Sequence, residues 1–238
     1  MRVQLPSRRA MVISRGIASL LCSLVIVPSG FCACPQTSTP GVSVTARTLT
    51  KVNCYAKAES EARVKEVPAD KAFARSVKVA SSESNARADV TAGHWTRETP
   101  TRATTMVYVS SAVSLRLSKK ANAIVHTAAD TTNPVKHGFE FKLTAPVKTT
   151  GTLTLTISGR STQGATDQFD IVVKGDGWSK KLASSSDKRF AKTVLPNVSI
   201  DPTGLIIEIH GLAVASLTDK GQCSAMGRAS ARFDVIRQ

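Results

Sequence analysis

The chain has 238 residues, 42% of them hydrophobic and 5% aromatic, and carries 32 Lys+Arg against 17 Asp+Glu for a formal charge of +15. A charge of that sign favours acidic partners through long-range attraction, whether anionic polysaccharide, lipid head groups or nucleic acid. With so few aromatics among the basic residues, nucleic-acid binding would rest on charge alone, and no specific nucleic-acid partner is expected.

Arg2, Arg8, Arg9 and Arg15 load the front of the chain, and no acid occurs before Glu59. An apolar run follows from Ile17 to Val27, then the breaker Pro28-Ser29-Gly30. That order reads as a secretory signal peptide over residues 1–32. The run is shorter than the roughly 20 residues a bilayer span needs, so no transmembrane segment is expected. The protein is therefore expected to be secreted, periplasmic or at the cell surface. A lipoprotein reading would place a lipid on Cys34, although Phe31 is a poor residue three places upstream. Without residues 1–32, which hold four Arg and no acid, the formal charge is +11.

Residues 33–42 read as a linker, rich in Pro, Thr, Ser and Gly. From residue 43 to 238 the governing signal is period two, the mark of strands with one buried face. Val52, Cys54, Ala56, Ala58, Ala62 and Val64 oppose Tyr55, Lys57, Glu61 and Arg63. Val107, Val109, Val113, Leu115 and Leu117 oppose Tyr108, Ser110, Ser114 and Arg116. The pattern recurs at Phe139–Leu143, Leu153–Ile157, Phe169–Val173, Leu205–Ile209 and Ala229–Val235. Turn residues punctuate these runs, including Pro134 to Gly138, Pro146 to Gly151, Asp176-Gly177, Pro196-Asn197 and Asp201-Pro202-Thr203-Gly204. Gly211 interrupts an apolar run and is expected to mark a bulge. The closing stretch GRASARFDVIRQ has the look of a final edge strand. Short alternating strands of this kind predict an all-β fold, an antiparallel β-sandwich of jelly-roll-like or Greek-key type. Small residues early and large ones late could match across its two sheets.

Cys54 and Cys223 are the only cysteines in the body of the chain. Two thiols in an exported protein are expected to form a disulfide. The spacing needed for a thiol-based metal site is absent.

Constellations that carry catalysis are not visible. His94, His126, His137 and His210 show no HExxH or HxH spacing. Glu208 and His210 share one strand face without a third ligand. Asp167 and Asp170 have opposite parity, and Asp176-Gly177 reads as a hairpin turn. No GxSxG elbow, facing acid pair or phosphate-binding glycine loop appears. No catalytic residue, metal or cofactor is assigned. Asn197-Val198-Ser199 is a glycosylation acceptor only in a eukaryotic host.

The two tryptophans are more informative. Trp178 follows Asp176-Gly177 and precedes Lys180 and Lys181. Trp95 sits in AGHWTRE. A loop-borne Trp beside cations suits sugar binding, where the ring stacks and the cations meet acidic groups. The alternative role for each is to cap the core. The sequence thus points to an exported non-catalytic β-sandwich binding or surface module. Its expected site residues are Trp178, Lys180, Lys181 and Trp95, and its expected partner is an acidic polysaccharide or other polyanion. Contact with such a polymer is expected to be diffuse and salt-sensitive. The rival readings are a structural or adhesive subunit assembling through edge strands and a hydrolase whose site joins distant residues.

Overall fold

A computed structural model describes residues 41–50, 52–58, 61–67, 74–80, 84–130, 132–183 and 190–236. The expected signal peptide, most of the linker and Cys34 lie outside the described residues. Among the described residues every regular element is a strand: β1 (Ser43–Thr48), β2 (Val52–Ala58), β3 (Glu61–Val67), β4 (Ala74–Ala80), β5 (Ser84–Thr99), β6 (Arg102–Leu117), β7 (Ala123–Ala128), β8 (His137–Thr144), β9 (Thr149–Ser161), β10 (Ala165–Gly175), β11 (Trp178–Ala183), β12 (Phe190–Ile200), β13 (Leu205–Leu217) and β14 (Gly221–Ile236).

The strands form two antiparallel sheets packed face to face, as the period-two pattern predicts. The six-stranded sheet has the order β12-β9-β14-β6-β5-β4. The eight-stranded sheet is built on β13, which pairs along one side with β10 and through it with β11. On its other side β13 pairs first with β8 and then with β7. From these it continues to β1 and to β2-β3. The early alternating run is thus a hairpin of two strands rather than one strand.

Inward positions build the core. Phe139, Phe141, Phe169, Ile207 and Ile209 come from the eight-stranded sheet, and Ala88, Ala225, Ala229 and Ala231 from the six-stranded one; all are buried. Size is not divided between an early and a late half, since Ala225, Ala229 and Ala231 are late and Leu115, Leu153, Leu155 and Phe233 of the same sheet are buried with them, but large does meet small locally. The clearest case is Phe169. A Cβ on Gly227 would lie 2.4 Å from its Cε2, and one on Gly211 would lie 2.5 Å from its Cε1. Gly211 therefore makes room for a ring and is not a bulge. Its pairing with Phe169 continues unbroken to Gln168 with Leu212, and the inward parity of β13 never switches.

Two further expectations are corrected. The closing stretch is not an edge, because β14 lies between β9 and β6 at the centre of its sheet. Neither Cys54 nor Cys223 is in a disulfide among the described residues, and both are buried. They stand on different sheets. Cys54 is in register with Thr127, which is in register with Ala213 of β13. The Cys223 Sγ sits 3.9 Å from the carbonyl oxygen of Ser216, farther along β13. Two strand spacings and three residues part these positions, about 10 Å in each direction. A disulfide needs Cα atoms within about 7 Å. Burial also pushes the Cys223 thiol pKa up, which keeps it protonated and unreactive.

The outward faces differ in charge. On the eight-stranded sheet Glu140 is bound by Arg47 at 2.8 Å, Asp170 by Lys136 at 2.5 Å and Glu208 by Lys174 at 2.6 Å. The opposite parity of Asp167 and Asp170 holds, since Asp167 points inward towards Gly159 and Gly227.

Candidate functional site

The Trp178 hairpin follows from its turn. Asp176-Gly177 joins β10 to β11 in two residues, with Gly177 at φ 70°, a region open to glycine at no steric cost. The pairing sets Trp178 opposite Gly175, and a Cβ there would lie 2.2 Å from the indole Nε1. Gly175 thus lets one side of the indole lie against the backbone. The residue remains 38% exposed and lines a recess of about 480 Å³.

The far wall of the recess comes from β12. Register shifts between Leu195 and Val198, so Pro196-Asn197 forms a bulge within a strand and not the expected turn. Pro196 has no N–H to lose at this break in the ladder. Asn197 takes φ 57°, the left-handed conformation that Asn tolerates better than most residues. The bulge sets Asn197 and Ser199 in the lining. The floor is the turn after β12. The Asp201 Oδ1 accepts hydrogen bonds from the Thr203 hydroxyl at 2.5 Å, the Thr203 N–H at 2.9 Å and the Gly204 N–H at 3.1 Å. These bonds, that of the Thr203 hydroxyl foremost, hold the Asp201 carboxyl below the ordinary range. Lys148 and Asp176 complete the polar rim.

The recess therefore offers an aromatic plate ringed by an amide, two hydroxyls, two carboxylates and one ammonium. Its volume falls within the ~300–1,000 Å³ range of small-molecule sites. Asp201, held ionised, is unsuited to general-acid work, which needs a raised pKa.

Lys180 and Lys181 do not join this site. They alternate across β11, in register with Val173 and Val172, so they point to opposite faces and cannot both flank Trp178. Neither lines the recess. What the sequence pattern did not reveal were Asn197, Ser199 and Asp201. Asn197 and Asp201 stood in Pro196-Asn197 and Asp201-Pro202-Thr203-Gly204, which read as turns, and Asn197 and Ser199 in a motif that read as a glycosylation acceptor.

Trp95 lies elsewhere, on the outward face of the six-stranded sheet, and is 41% exposed. It lines a smaller recess of about 290 Å³ with Arg97, Thr99, Arg102, Thr104 and Arg232. Register gives the face its rows. One runs Val194, Thr154, Arg232, Met106, Trp95, and the next runs Lys192, Thr156, Ser230, Tyr108, Gly93. Arg228 lies over the Tyr108 ring, 4.7 Å from its centroid. Asp234 accepts from Thr104 Oγ1 at 2.6 Å, Arg102 Nε at 2.9 Å and Arg232 Nε at 3.1 Å. Burial would raise its pKa, but hydrogen bonds from Thr104, Arg102 and Arg232 outweigh burial and lower it.

A buried polar pair joins the two sheets. Ser111 Oγ and His137 Nε2 are 2.9 Å apart, and both residues are buried. Burial, helped by nearby His210, lowers the His137 pKa to about 3. The ring is neutral, and its Nδ1 has no hydrogen-bond partner among the described residues. A nucleophile–base pair would need an orienting acid on that nitrogen and access for substrate. This pair has neither, and it ties the sheets together. The His210 and Glu208 side chains are 3.9 Å apart, and Glu208 is already held by Lys174. Among the described residues no group of His, Cys, Asp and Glu could hold a metal ion.

No protein-family model matches the chain, and no curated protein matches it. A solved structure, TmCBM61 in complex with beta-1,4-galactotriose, aligns with 53% of this chain and 71% of its own at 9% sequence identity, with a TM-score of 0.24. A likeness at so low a score carries no functional argument.

Proposed function

We propose that this protein is an exported, non-catalytic carbohydrate-binding module whose sugar site is the Trp178 recess. The observation that carries the reading is the pairing of a half-exposed indole, seated on Gly175, with Asn197, Ser199 and Asp201 around one cavity. A pyranose presents an apolar face to an aromatic ring and hydroxyls at its edge. Ionised Asp201 and the Asn197 amide would bond those hydroxyls, and such charge-assisted bonds are the strong ones. Asp176 and Asp201 against Lys148 leave the rim net negative, so the recess suits a neutral sugar and not an acidic one.

Glycan-array screening of the secreted protein, followed by calorimetry on Trp178→Ala, tests this. Loss of the stack should cost about 1–3 kcal/mol of binding, by analogy with base–aromatic stacking. Thermal stability should hardly change, because the ring lies at the tip of a hairpin. The reading is wrong if no neutral glycan binds, or if Trp178→Ala binds as the parent does. Export is tested by N-terminal sequencing of the mature protein, with a start near Ala33 expected.

A further inference from the structure

We propose that the outward face of β9, β14, β6 and β5 is a second binding surface, and that it takes a linear acidic polysaccharide bearing sulfate or uronate groups. This deepens the carbohydrate-binding reading but rests on different residues. In sequence the basic residues look scattered. Strand pairing gathers Arg97, Arg102, Arg228 and Arg232 onto one face and brings Lys192 alongside. On the other sheet Glu140, Asp170 and Glu208 are each matched by a cation. Here the acid at the centre is Asp234, and it serves two guanidinium groups at once, Arg102 at 2.7 Å and Arg232 at 3.0 Å. A guanidinium has five N–H donors. Two that share one carboxylate are fixed in orientation and keep donors for a ligand.

The geometry suits a long chain more than a small anion. Arg228 and Arg232 are four residues apart on β14, about 14 Å along the strand. From Lys192 on β12 to Arg97 on β5 there are four strand spacings, about 19 Å. Between these charges lie the partly exposed hydroxyls of Thr154 and Thr156, which complement a hydroxyl-rich polymer. Arginine binds planar oxyanions with a fork that lysine lacks. Trp95 offers one open ring at the rim. Single-stranded nucleic acid would need several open rings in succession. Tyr108 cannot be one of them, because Arg228 covers it.

The test uses the full mature chain, with heparin and polygalacturonate as probes and single-stranded DNA and a neutral galactan as comparators. Arg97→Gln, Arg228→Gln and Lys192→Gln avoid the Asp234 network, so folding is preserved and is checked by circular dichroism. Each arginine change should weaken heparin or polygalacturonate binding at least about fivefold, and the triple variant about a hundredfold. The salt dependence should flatten as the charges are removed. Arg228→Lys should recover only part of the loss. Trp178→Ala should leave acidic-polymer binding unchanged, which separates failure of this proposal from failure of the sugar recess. The proposal is overturned if the triple variant keeps its affinity. It is also overturned if DNA binds as tightly as either acidic polysaccharide, which would make the face a nucleic-acid surface. Concentration-dependent dimerisation that the triple variant abolishes would likewise overturn it, assigning the face to a second copy of the chain.

Discussion

Adding a single methyl group at Gly227 should test how the two sheets are stacked. In Gly227→Ala the new Cβ would meet Phe169 Cε2 at 2.4 Å, with Asp167 Oδ2 and Phe169 Cδ2 both at 2.8 Å. Ordinary contact begins near 3.4 Å, so the shortfall is about 1 Å. The ring cannot retreat, because Gly211 of its own sheet is already packed against its other edge. Overpacking of this kind costs about 1–3 kcal/mol. With a shortfall of about 1 Å against a trapped ring the upper part of that range applies, about 2–3 kcal/mol, and replacing Gly by Ala within an element returns about 0.5–1 kcal/mol, leaving a net loss of about 1–2.5 kcal/mol. For a domain of this size each kcal/mol lowers Tm by about 2–4 °C, so calorimetry should show a fall of about 2–10 °C. Adding Phe169→Leu should make the two losses less than additive, with a coupling of at least about 0.5 kcal/mol. A Gly227→Ala protein as stable as the parent would refute the packing of Phe169 between Gly211 and Gly227, and with it the relative placement of the sheets.

Other outcomes rest on the same packing. His137 stays neutral when folded down to about pH 3, whereas in the unfolded chain it takes up a proton near pH 6.5. The unfolded state therefore binds more protons below that value, and stability is lost as pH falls, by about 2–3 kcal/mol at pH 4.5. Denaturant titrations should show this slope between about pH 6.5 and 4.5, and His137→Gln should flatten it. Cys54 and Cys223 should both react with a thiol reagent after unfolding without reductant, and a reducing agent should leave Tm unchanged; finding them linked by mass spectrometry would reject the sheet assignment of one of them. Asn197→Ala should cost about 1 kcal/mol because Ala resists the left-handed backbone, while Asn197→Gly should be close to neutral; equal effects of the two would remove the strain argument for the β12 bulge.

Strand identity was legible in the sequence because it is set locally. Alternation fixes which side chains point inward, and the structure agrees with it at Val107–Leu117, Phe139–Leu143, Phe169–Val173 and Leu205–Ile209. It also fixed that Lys180 and Lys181 diverge, although their adjacency in sequence suggested partnership. Turn chemistry was equally local, and Asp176-Gly177 is the hairpin it appeared to be. Period two gives each residue a face but says nothing about which strand lies alongside. Only the pairing of β14 between β9 and β6 brought Arg228 onto Tyr108 and Arg102 onto Asp234, across more than a hundred residues of chain. The same holds for Trp178 and Asn197, which meet where the β10–β11 hairpin comes beside the β12 bulge. The Cys54–Cys223 bond failed for this reason too. Redox compartment and count can suggest a pair, but only long-range packing sets the distance between two inward positions on opposite sheets. Local pattern was enough for the sandwich class, the inward and outward sets, and the positive charge. Which outward residues became neighbours was left to long-range packing, because hydrogen bonding between strands is indifferent to side-chain identity and the order of strands is chosen by burial of the whole core.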